Sequence, residues 1–419
     1  MLAEPMTLPI RERFSIRSSA RFFHILDVIG RAHEPTVTQL AALDRSYSST
    51  GEFLSSCPEF QGDLIQIHPH GSRQLGTIVR PRDGSREGFD IDLIARLRIE
   101  AHRKYEGEFG PALLLENLHR ALTRYANAHG LKLHRWERCA TLEYAEGMCA
   151  DIAPVIDAPL LGTKFGETHA VIPDRELRLF DSTNPRGYAR HFNHAAAISP
   201  NFTARKIFSN ALDTVTRADV VPLPDAQDVF DRLLCRLVQI VKLHRNVAFG
   251  VARGTQDLAP SSVFLTTLAA MAYTVEAPRP HESPLDLLLD IVERMPLHFE
   301  RIPQFGGFEE WVLPNPSAQR DNLAASMNLP GRQKAFSLWH KRLVDDLKRI
   351  LDAIENNRGM DVLIKTLESA FGSLGVRAFQ QEEAERRQSS RIAGKVTLAS
   401  SASSVSFSVP ARSHTYFGR

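Results

Sequence analysis

The sequence predicts an α+β fold, with a β-sheet in the first half of the chain and helices in the second. Apolar and acidic residues alternate over Phe89–Leu93, and an almost wholly apolar run covers Cys149–Ile156. Both patterns are typical of strands. After about residue 200, apolar residues recur at helical spacing, first over residues 226–249. These observations favour a sheet-based lobe followed by a helical lobe.

The predicted elements follow in chain order. A helix is expected from about Ala20 to Phe53, interrupted by Pro35. The sheet is expected from about Leu64 to Ile156, with a helix inserted over Pro111–His129. The later helices are predicted over Ala226–Phe249, Ser262–Thr274, Pro284–Arg294 and Ser337–Asn356.

These elements predict a first lobe over residues 1–200, a helical lobe over 201–380 and a tail over 381–419. Residues 386–419 contain nine serines, six Lys or Arg and no Asp or Glu. Such a composition cannot bury enough apolar surface to fold alone, so we expect a flexible tail.

The strand with alternating acids is the most informative motif. Residues i and i+2 of a strand point to the same face, so Asp90 and Asp92 project together. Adjacent carboxylates repel each other unless a cation lies between them, and Mg²⁺ bound to substrate phosphates is the usual one. Upstream, Gly71 and Ser72 form a turn that can approach a triphosphate closely and offer N–H groups and a hydroxyl. Together the two motifs predict a nucleotidyl-transfer site.

A third carboxylate is expected to complete the metal site. Asp151 is the acid inside the apolar strand Cys149–Ile156, and the segment beginning at Leu142 predicts a hairpin partner for it. An unpaired carboxylate in such a strand would be costly to bury, which favours a metal ligand. Asp157 is the next candidate if Asp151 is not the ligand.

The chain resembles a known family at these residues. Residues 67–81 and 89–93 resemble the polymerase-β-type core of bacterial CD-NTases, the cyclic-oligonucleotide synthases related to animal cyclic GMP-AMP synthase. The resemblance continues, over about residues 20–350, in Asn184–Ala189, Val241–Asn246, Pro260–Ser262, Asn315–Pro316 and Asp321–Leu323. Many relatives carry Gln where this chain has His70.

The resemblance implies a polymerase-β-like nucleotidyltransferase sheet, a helical second lobe and a long N-terminal helix bracing both. It implies two Mg²⁺ ions, with Mn²⁺ able to substitute, held by Asp90, Asp92 and Asp151. The substrates would be ATP, GTP or other nucleoside triphosphates, and the product a cyclic di- or trinucleotide second messenger for anti-phage defence. Lys242 resembles the family lysine that reaches the triphosphate, with Ser261 or Ser262 adding a hydroxyl.

Composition is that of a globular enzyme. The 419 residues are 43% hydrophobic and carry a formal charge of +2, which does not require a nucleic-acid partner. The four cysteines lack zinc-ribbon spacing, and no 18-residue apolar run or signal core exists. We expect a cytoplasmic monomer without a membrane partner.

Two other functions stay open at this stage: a linear nucleotidyltransferase that modifies RNA or protein, and an inactive nucleotide-binding module. The C-terminus, Ser413–Arg419, is also open to two interpretations. Its aromatic pair and near-terminal Gly418 resemble family tails that a companion enzyme conjugates to targets, although Arg419 follows that glycine. A conjugating or regulatory protein at the tail is one interpretation, and a tail without a partner is the other.

Overall fold

The computed structural model describes residues 14–80, 89–144, 148–216, 232–250, 257–392, 395–399 and 406–410. Its helices are α1 (Ile16–Ala32), α2 (Val37–Ser56), α3 (Gly71–Gln74), α4 (Gly110–His129), α5 (Pro185–Ala196), α6 (Arg205–Thr216), α7 (Leu233–Ala248), α8 (Ser262–Glu276), α9 (Pro284–Arg294), α10 (Arg332–Glu355), α11 (Met360–Phe371) and α12 (Ser373–Ile392). Its strands are β1 (Leu64–Pro69), β2 (Asp90–Leu97), β3 (Lys132–Arg135), β4 (Ala140–Glu143), β5 (Cys149–Asp157), β6 (Ala170–Asp174), β7 (Leu179–Thr183), β8 (Asn201–Phe202), β9 (Pro280–His281), β10 (Glu300–Pro303), β11 (Glu309–Val312), β12 (Lys395–Ala399) and β13 (Ser406–Pro410).

Seven of the described strands form one mixed sheet in the order β1-β2-β5-β4-β3, with β6 beside the end of β5 and β7 beside β6. β2 and β5 run parallel, while the other neighbours in this sheet are antiparallel. A parallel pair needs a crossover connection, which α4 supplies. Pro111 in its first turn and Gly130, left-handed at its C-cap, set the ends of this helix close to the predicted Pro111–His129. The sheet extends to Thr183, beyond the predicted Ile156.

The two faces of the sheet have different characters. One face is apolar and packs against α2 and α4, with Ile91, Leu93 and Ile152 among its buried residues. Because side chains alternate along a strand, the acids of β2 and β5 project from the other face. The sheet therefore presents its carboxylates away from its main core.

The N-terminal bracing segment is two helices rather than one. The sequence predicted a helix over Ala20–Phe53 interrupted by Pro35, and the interruption is complete. Thr36 begins α2 with a capping box, in which its side chain accepts from the Gln39 N–H and the Gln39 side chain accepts from the Thr36 N–H. α1 packs among the helices of the second half, whereas α2 packs on β1 and α4. The bracing is thus shared between two helices.

The helical lobe is built around one large core that includes α1 and helices α6–α12. Aromatic rings fill its centre, where Phe336 contacts Phe264, Phe299, Trp311 and Trp339. Observed bounds match the predicted helices within a few residues at α8 and α9, while α10 begins five residues earlier, at Arg332 rather than Ser337. Residues 226–231 of the predicted helix Ala226–Phe249 lie outside the described residues, and α7 covers most of the remainder.

Asn184 joins the sheet lobe to the helical lobe. Its side chain caps α5 by accepting from the Gly187 N–H at 2.9 Å, and its amide donates to the carbonyls of Phe165 and Ser317 at 2.9 Å each. A Cβ on Gly187 would lie 2.4 Å from Asn184 Nδ2, so this cap needs glycine. Ser317 follows the Asn315–Pro316 pair, so two of the family-like segments meet at this joint.

The predicted tail differs from the expectation at its start. α12 continues to Ile392, and β12 pairs antiparallel with β13. The helix persists because α12 begins well before the tail and carries local pairs such as Arg386 with Glu383. Residues 411–419, which include the Ser413–Arg419 segment, lie outside the described residues. Across the described ranges, no helix is both long and apolar enough to span a membrane.

Candidate active site

Asp92 and Asp151 stand opposite each other on neighbouring strands. The parallel register pairs Asp92 of β2 with Asp151 of β5, and both side chains point to the sheet face that carries the acids. Asp90 lies two residues before Asp92 on that same face and is exposed. Asp92 and Asp151 are far apart in the sequence, and the parallel pairing of β2 with β5 brings them together.

The carboxyl of Asp92 is the most perturbed acid in this group. Burial raises its pKa from 3.8 to about 6, with the Asp151 carboxylate adding to the rise and the Lys242 ammonium opposing it. A buried carboxylate beside a second one holds its proton tightly because ionising both concentrates negative charge. This pair therefore favours a cation.

The Gly-Ser turn lies directly against Asp92. The His70 N–H donates to the Asp92 carbonyl at 2.9 Å, and α3 begins at the next residue. Gly71 has a φ of +57°, and a Cβ there would lie 2.2 Å from Asp92 Oδ2. A side chain at this position would meet the carboxylate, so glycine lets the start of α3 lie beside Asp92.

His70 is a neutral neighbour of the acids. Burial lowers the pKa of its ring to about 4, and the nearby Asp151 carboxylate only partly offsets this. His70 stands at the N-cap position of α3, immediately after β1. Its ring adds no charge to the site near neutral pH.

Asp151 is held by a short chain of hydrogen bonds. The Thr141 hydroxyl donates to Asp151 Oδ1, and the Trp136 indole N–H donates to Thr141 Oγ1 at 2.7 Å. Thr141 faces Asp151 because the antiparallel register of β4 and β5 pairs them. The predicted hairpin partner of Asp151 is confirmed as β4, although its turn at residues 145–147 lies outside the described residues.

Side chains on one face of α7 contact the segment that follows the Gly-Ser turn. Cys235 Sγ lies 3.4 Å from the Leu75 carbonyl, and the Gln239 amide donates to the Ile78 carbonyl at 3.1 Å. Lys242 Nζ donates to the carbonyl and the hydroxyl of Thr77, at 3.2 Å each. Steps of four and three residues bring these side chains to one helix face. The helical lobe is thereby fixed to the segment that follows the Gly-Ser turn.

Lys242 is a buried cation facing the acids. Burial lowers its pKa from 10.5 to about 8, and nearby Arg245 lowers it further, while Asp92 raises it. Arg245 donates to the Pro260 carbonyl and to Ser262 Oγ at 3.0 Å each. Ser261 uses its hydroxyl to cap α8, accepting from the Phe264 N–H at 3.3 Å. Lys242, Arg245 and Ser262 thus form a polar group on the helical side, with Ser261 at its edge.

Asp157, the alternative third ligand, is already paired. Arg96 donates to both of its carboxylate oxygens, at 2.5 and 2.8 Å. A bidentate Arg–carboxylate pair of this kind satisfies the acid without a metal. Asp151 is therefore the better candidate.

A second group of potential ligands lies in the helical lobe and is also satisfied. Glu276, His281 and Asp290 are all buried, and their ligand atoms lie within 4.8 Å of one another. Arg279 and Arg294 pair with Glu276, and His281 Nε2 lies 3.0 Å from Asp290 Oδ2. These charges balance without a cation, so we interpret the group as an ionic network that ties β9 to α8 and α9.

The structure brings Asp92, Asp151, Gly71 and Lys242 together between the sheet and α7, and Asp90 lies on the same face of β2, two residues from Asp92. Thr77 and Thr141 were not predicted as site residues from the sequence. Thr141 gave no signal of its own, because its role depends on which residue of β5 it pairs with. Carboxylates on a mixed sheet, a glycine turn and a facing lysine define a nucleotidyltransferase.

Comparison with known proteins supports the class of nucleotidyltransferase. Residues 31–196 match the model of the family described as "Second Messenger Oligonucleotide or Dinucleotide Synthetase domain". The chain is 25% identical over 297 residues to the c-di-GMP synthase of Roseivirga ehrenbergii, covering 71% of this chain and 70% of that protein. It is 28% identical over 220 residues to the cyclic dinucleotide synthase CdnG of Bradyrhizobium diazoefficiens, covering 51% of this chain and 49% of the relative.

The fold is also that of a solved relative. The structure of the Bradyrhizobium diazoefficiens CD-NTase CdnG in complex with GTP superposes with a TM-score of 0.61 at 19% identity, covering 87% of this chain and 99% of that one. The α+β class with a polymerase-β-like sheet and helical second lobe is thereby confirmed. Residues 31–196 therefore resemble the synthetase domain of this family, and the chain is similar to bacterial CD-NTases over most of its length.

Proposed function

We propose that this protein joins nucleoside triphosphates into a cyclic di- or trinucleotide and releases pyrophosphate. The observation that carries the proposal is the pairing of Asp92 with Asp151 across parallel strands, with Gly71 and Lys242 beside them. Carboxylates at this spacing suit phosphoryl-type transfer, where positioning and charge provide most of the rate.

The carboxylates fit a hard divalent cation. Burial and the neighbouring Asp151 raise the pKa of Asp92 to about 6. A cation bound between the two carboxylates would offset their repulsion. The donors are oxygen atoms, as Mg²⁺ prefers, and Mn²⁺ can take the same ligands. We propose that Asp90, Asp92 and Asp151 hold two such ions. When bound, they would supply charge for the leaving pyrophosphate and lower the pKa of the attacking hydroxyl.

The chain's own groups have separate tasks in this proposal. The backbone N–H groups at Gly71 and Ser72 would hold the β- and γ-phosphates, and Lys242 would approach the triphosphate from α7. Ser261 and Ser262 would add hydroxyls on the same side, with Ser262 oriented by Arg245. Asp151 is the proposed acceptor of the proton from the attacking ribose hydroxyl. In-line attack on the α-phosphate would then expel pyrophosphate.

We propose GTP and ATP as the first substrates to test. One relative is named a c-di-GMP synthase, and the CdnG structure contains GTP. The decisive experiment incubates pure protein with Mg²⁺ and each labelled nucleoside triphosphate, singly and in pairs, treats the products with phosphatase and identifies them by mass spectrometry. The Asp90→Asn, Asp92→Asn double variant is the control, because it keeps the shape of both side chains.

Each outcome has one meaning. A phosphatase-resistant cyclic product with pyrophosphate release supports the proposal. A linear product alone would instead indicate the linear nucleotidyltransferase. Nucleotide binding without pyrophosphate release under any pairing would leave the inactive binding module.

We further propose a cytoplasmic role in anti-phage signalling, with a conjugating or regulatory protein at the C-terminus. Residues 411–419 follow the β12–β13 hairpin, so removing only these residues keeps the hairpin whole. The truncated protein should synthesise product at the full rate and lose any covalent adduct formed in cells. A lower rate of synthesis would show instead that the end of the chain serves catalysis. Light scattering during size-exclusion chromatography tests the proposed monomer.

A further inference from the structure

Thr141 contacts the third carboxylate directly. β4 and β5 are antiparallel, and their register sets Thr141 opposite Asp151. The threonine is 7% exposed, and its hydroxyl donates to Asp151 Oδ1. One carboxylate oxygen is thus taken by this hydrogen bond, and the lone pairs of the other stay available.

Trp136 determines which way the Thr141 hydroxyl points. Its Nε1 lies 2.7 Å from Thr141 Oγ1, and an indole N–H can only donate. Thr141 must therefore accept from Trp136, which leaves its single hydrogen for Asp151. The backbone N–H of Trp136 donates to the Cys139 carbonyl at 3.0 Å, which fixes the turn between β3 and β4.

Asp151 needs such a restraint. Before a cation arrives, repulsion from Asp92 favours turning the Asp151 carboxylate away, and the hydroxyl of Thr141 opposes that rotation. Hydrogen bonds to ligand carboxylates orient them and commonly change metal affinity by about 10–100-fold when removed.

We propose that Thr141 is a positioning residue that holds Asp151 ready for its cation, and that Trp136 sets the direction of its hydroxyl. This inference rests on the proposed function, because it assigns Asp151 to the metal site. Neither residue contacts substrate in this assignment, and both act through Asp151.

The test measures Mn²⁺ binding by electron paramagnetic resonance, with a non-hydrolysable GTP analogue present, beside steady-state kinetics. Thr141→Val keeps the shape and removes the hydroxyl, and it should weaken Mn²⁺ binding by about 10–100-fold. The rate constant kcat should fall with it, while the KM for nucleotide changes little because Gly71 and Lys242 are untouched. Thr141→Ser keeps the hydroxyl and should restore both values. Trp136→Phe should produce a smaller loss of Mn²⁺ affinity.

Thr50→Val is the matched control. Thr50 is fully buried in α2, and its hydroxyl donates to the Ser46 carbonyl and lies 3.1 Å from the Tyr144 hydroxyl, away from the carboxylates. It should lose stability and keep wild-type Mn²⁺ affinity.

Wild-type Mn²⁺ affinity and kcat in Thr141→Val would overturn the inference, and so would an equal loss in Thr141→Ser. If Thr141→Val does not fold, Trp136→Phe becomes the test. Unchanged Mn²⁺ binding in that variant would overturn the inference that the indole orients the Thr141 hydroxyl toward Asp151. Failure of the proposed function looks different: the wild-type protein itself would bind no Mn²⁺ with nucleotide and release no pyrophosphate.

Discussion

Lys242 and Thr77 are joined twice: the ammonium donates to the backbone carbonyl and to the hydroxyl of the threonine, at 3.2 Å each. The predicted phosphate-binding lysine is therefore already anchored to the segment that follows the Gly-Ser turn. Its charge is oriented before substrate arrives, which lowers the cost of arranging it on binding.

Replacing Lys242 with methionine should weaken nucleotide binding. A charge-assisted hydrogen bond is worth about 1.5–3 kcal/mol, so the Kd should rise by roughly 10- to 150-fold. Isothermal titration calorimetry at low salt measures this change. Lys341→Met, at an exposed lysine of α10 paired with Asp345, should bind normally. An unchanged Kd in Lys242→Met would return this lysine to a structural role.

Nucleotide affinity should fall as the pH rises through about 8. Burial lowers the pKa of Lys242 to about 8 in the free protein, and a bound triphosphate raises it again. Above pH 8 binding must therefore take up a proton, so the affinity for nucleotide falls as the pH rises. A Kd series from pH 7 to 9.5 should show the decline in the wild type and a flat response in Lys242→Met. The same slope in both proteins would assign the titration to another group.

Gly71→Ala should abolish turnover through a clash rather than through backbone strain alone. Gly71 and Gly130 both have left-handed φ values, of +57° and +65°. A Cβ at Gly71 would lie 2.2 Å from Asp92 Oδ2, whereas a Cβ at Gly130 would meet nothing within 4 Å. Gly130→Ala should cost about 1–2 kcal/mol of stability and leave activity intact. Equal activities in the two variants would contradict this assignment of Gly71.

Asp92→Asn should stabilise the metal-free protein at pH 7 while abolishing turnover. Folding raises the pKa of Asp92 from 3.8 to about 6, so the folded state holds this proton more tightly. The resulting stability is present below about pH 4 and is lost as the pH rises through 6. Thermal unfolding in the presence of a metal chelator should therefore show that the Tm falls less between pH 4 and pH 6 in the variant than in the wild type. Asp157→Asn breaks the ion pair with Arg96 and should destabilise instead, which gives a control of opposite sign.

Asn184→Ala should destabilise the protein more than loss of a helix cap alone. The change removes the cap of α5 and the donor to the Ser317 carbonyl, whereas the Phe165 carbonyl keeps the Thr168 N–H and hydroxyl as donors. An unsatisfied buried carbonyl costs about 1–3 kcal/mol, in addition to about 1 kcal/mol for the cap. Thr36→Ala removes only the cap of α2 and is the comparison. Urea unfolding curves that place both variants at the same stability would show that the joint contributes nothing.

Much of the fold could be predicted because local patterns determine it. The alternation at Asp90–Leu93 and the stripe in α4 appear as predicted, since each reflects a face buried within a few residues. Pro35 was seen as an interruption. That α1 and α2 then pack on different cores depends on contacts far along the chain, which periodicity does not report.

The residues of the candidate site were likewise predictable only in part. The acids and the glycine turn were predicted because their residue types suit one chemistry, and Lys242 was predicted from the resemblance to the family. Thr141 and Thr77 were not, because each matters only through its partner, Asp151 or Lys242, which strand register or helix docking supplies. Ser261 was predicted to bind nucleotide, and its hydroxyl also caps α8, a use that the sequence left open.

The parallel pairing of β2 and β5 governs how this chain can change in length. Asp92 and Asp151 are neighbours because β2 and β5 are hydrogen-bonded to each other. Loops in the crossover between these strands can therefore grow or shrink without moving either acid. A single residue inserted within β5 ahead of Asp151 has the opposite effect, because it turns that carboxylate toward the apolar face covered by α4. Insertions and deletions are therefore tolerated in the loops of this crossover and are disruptive inside the strands.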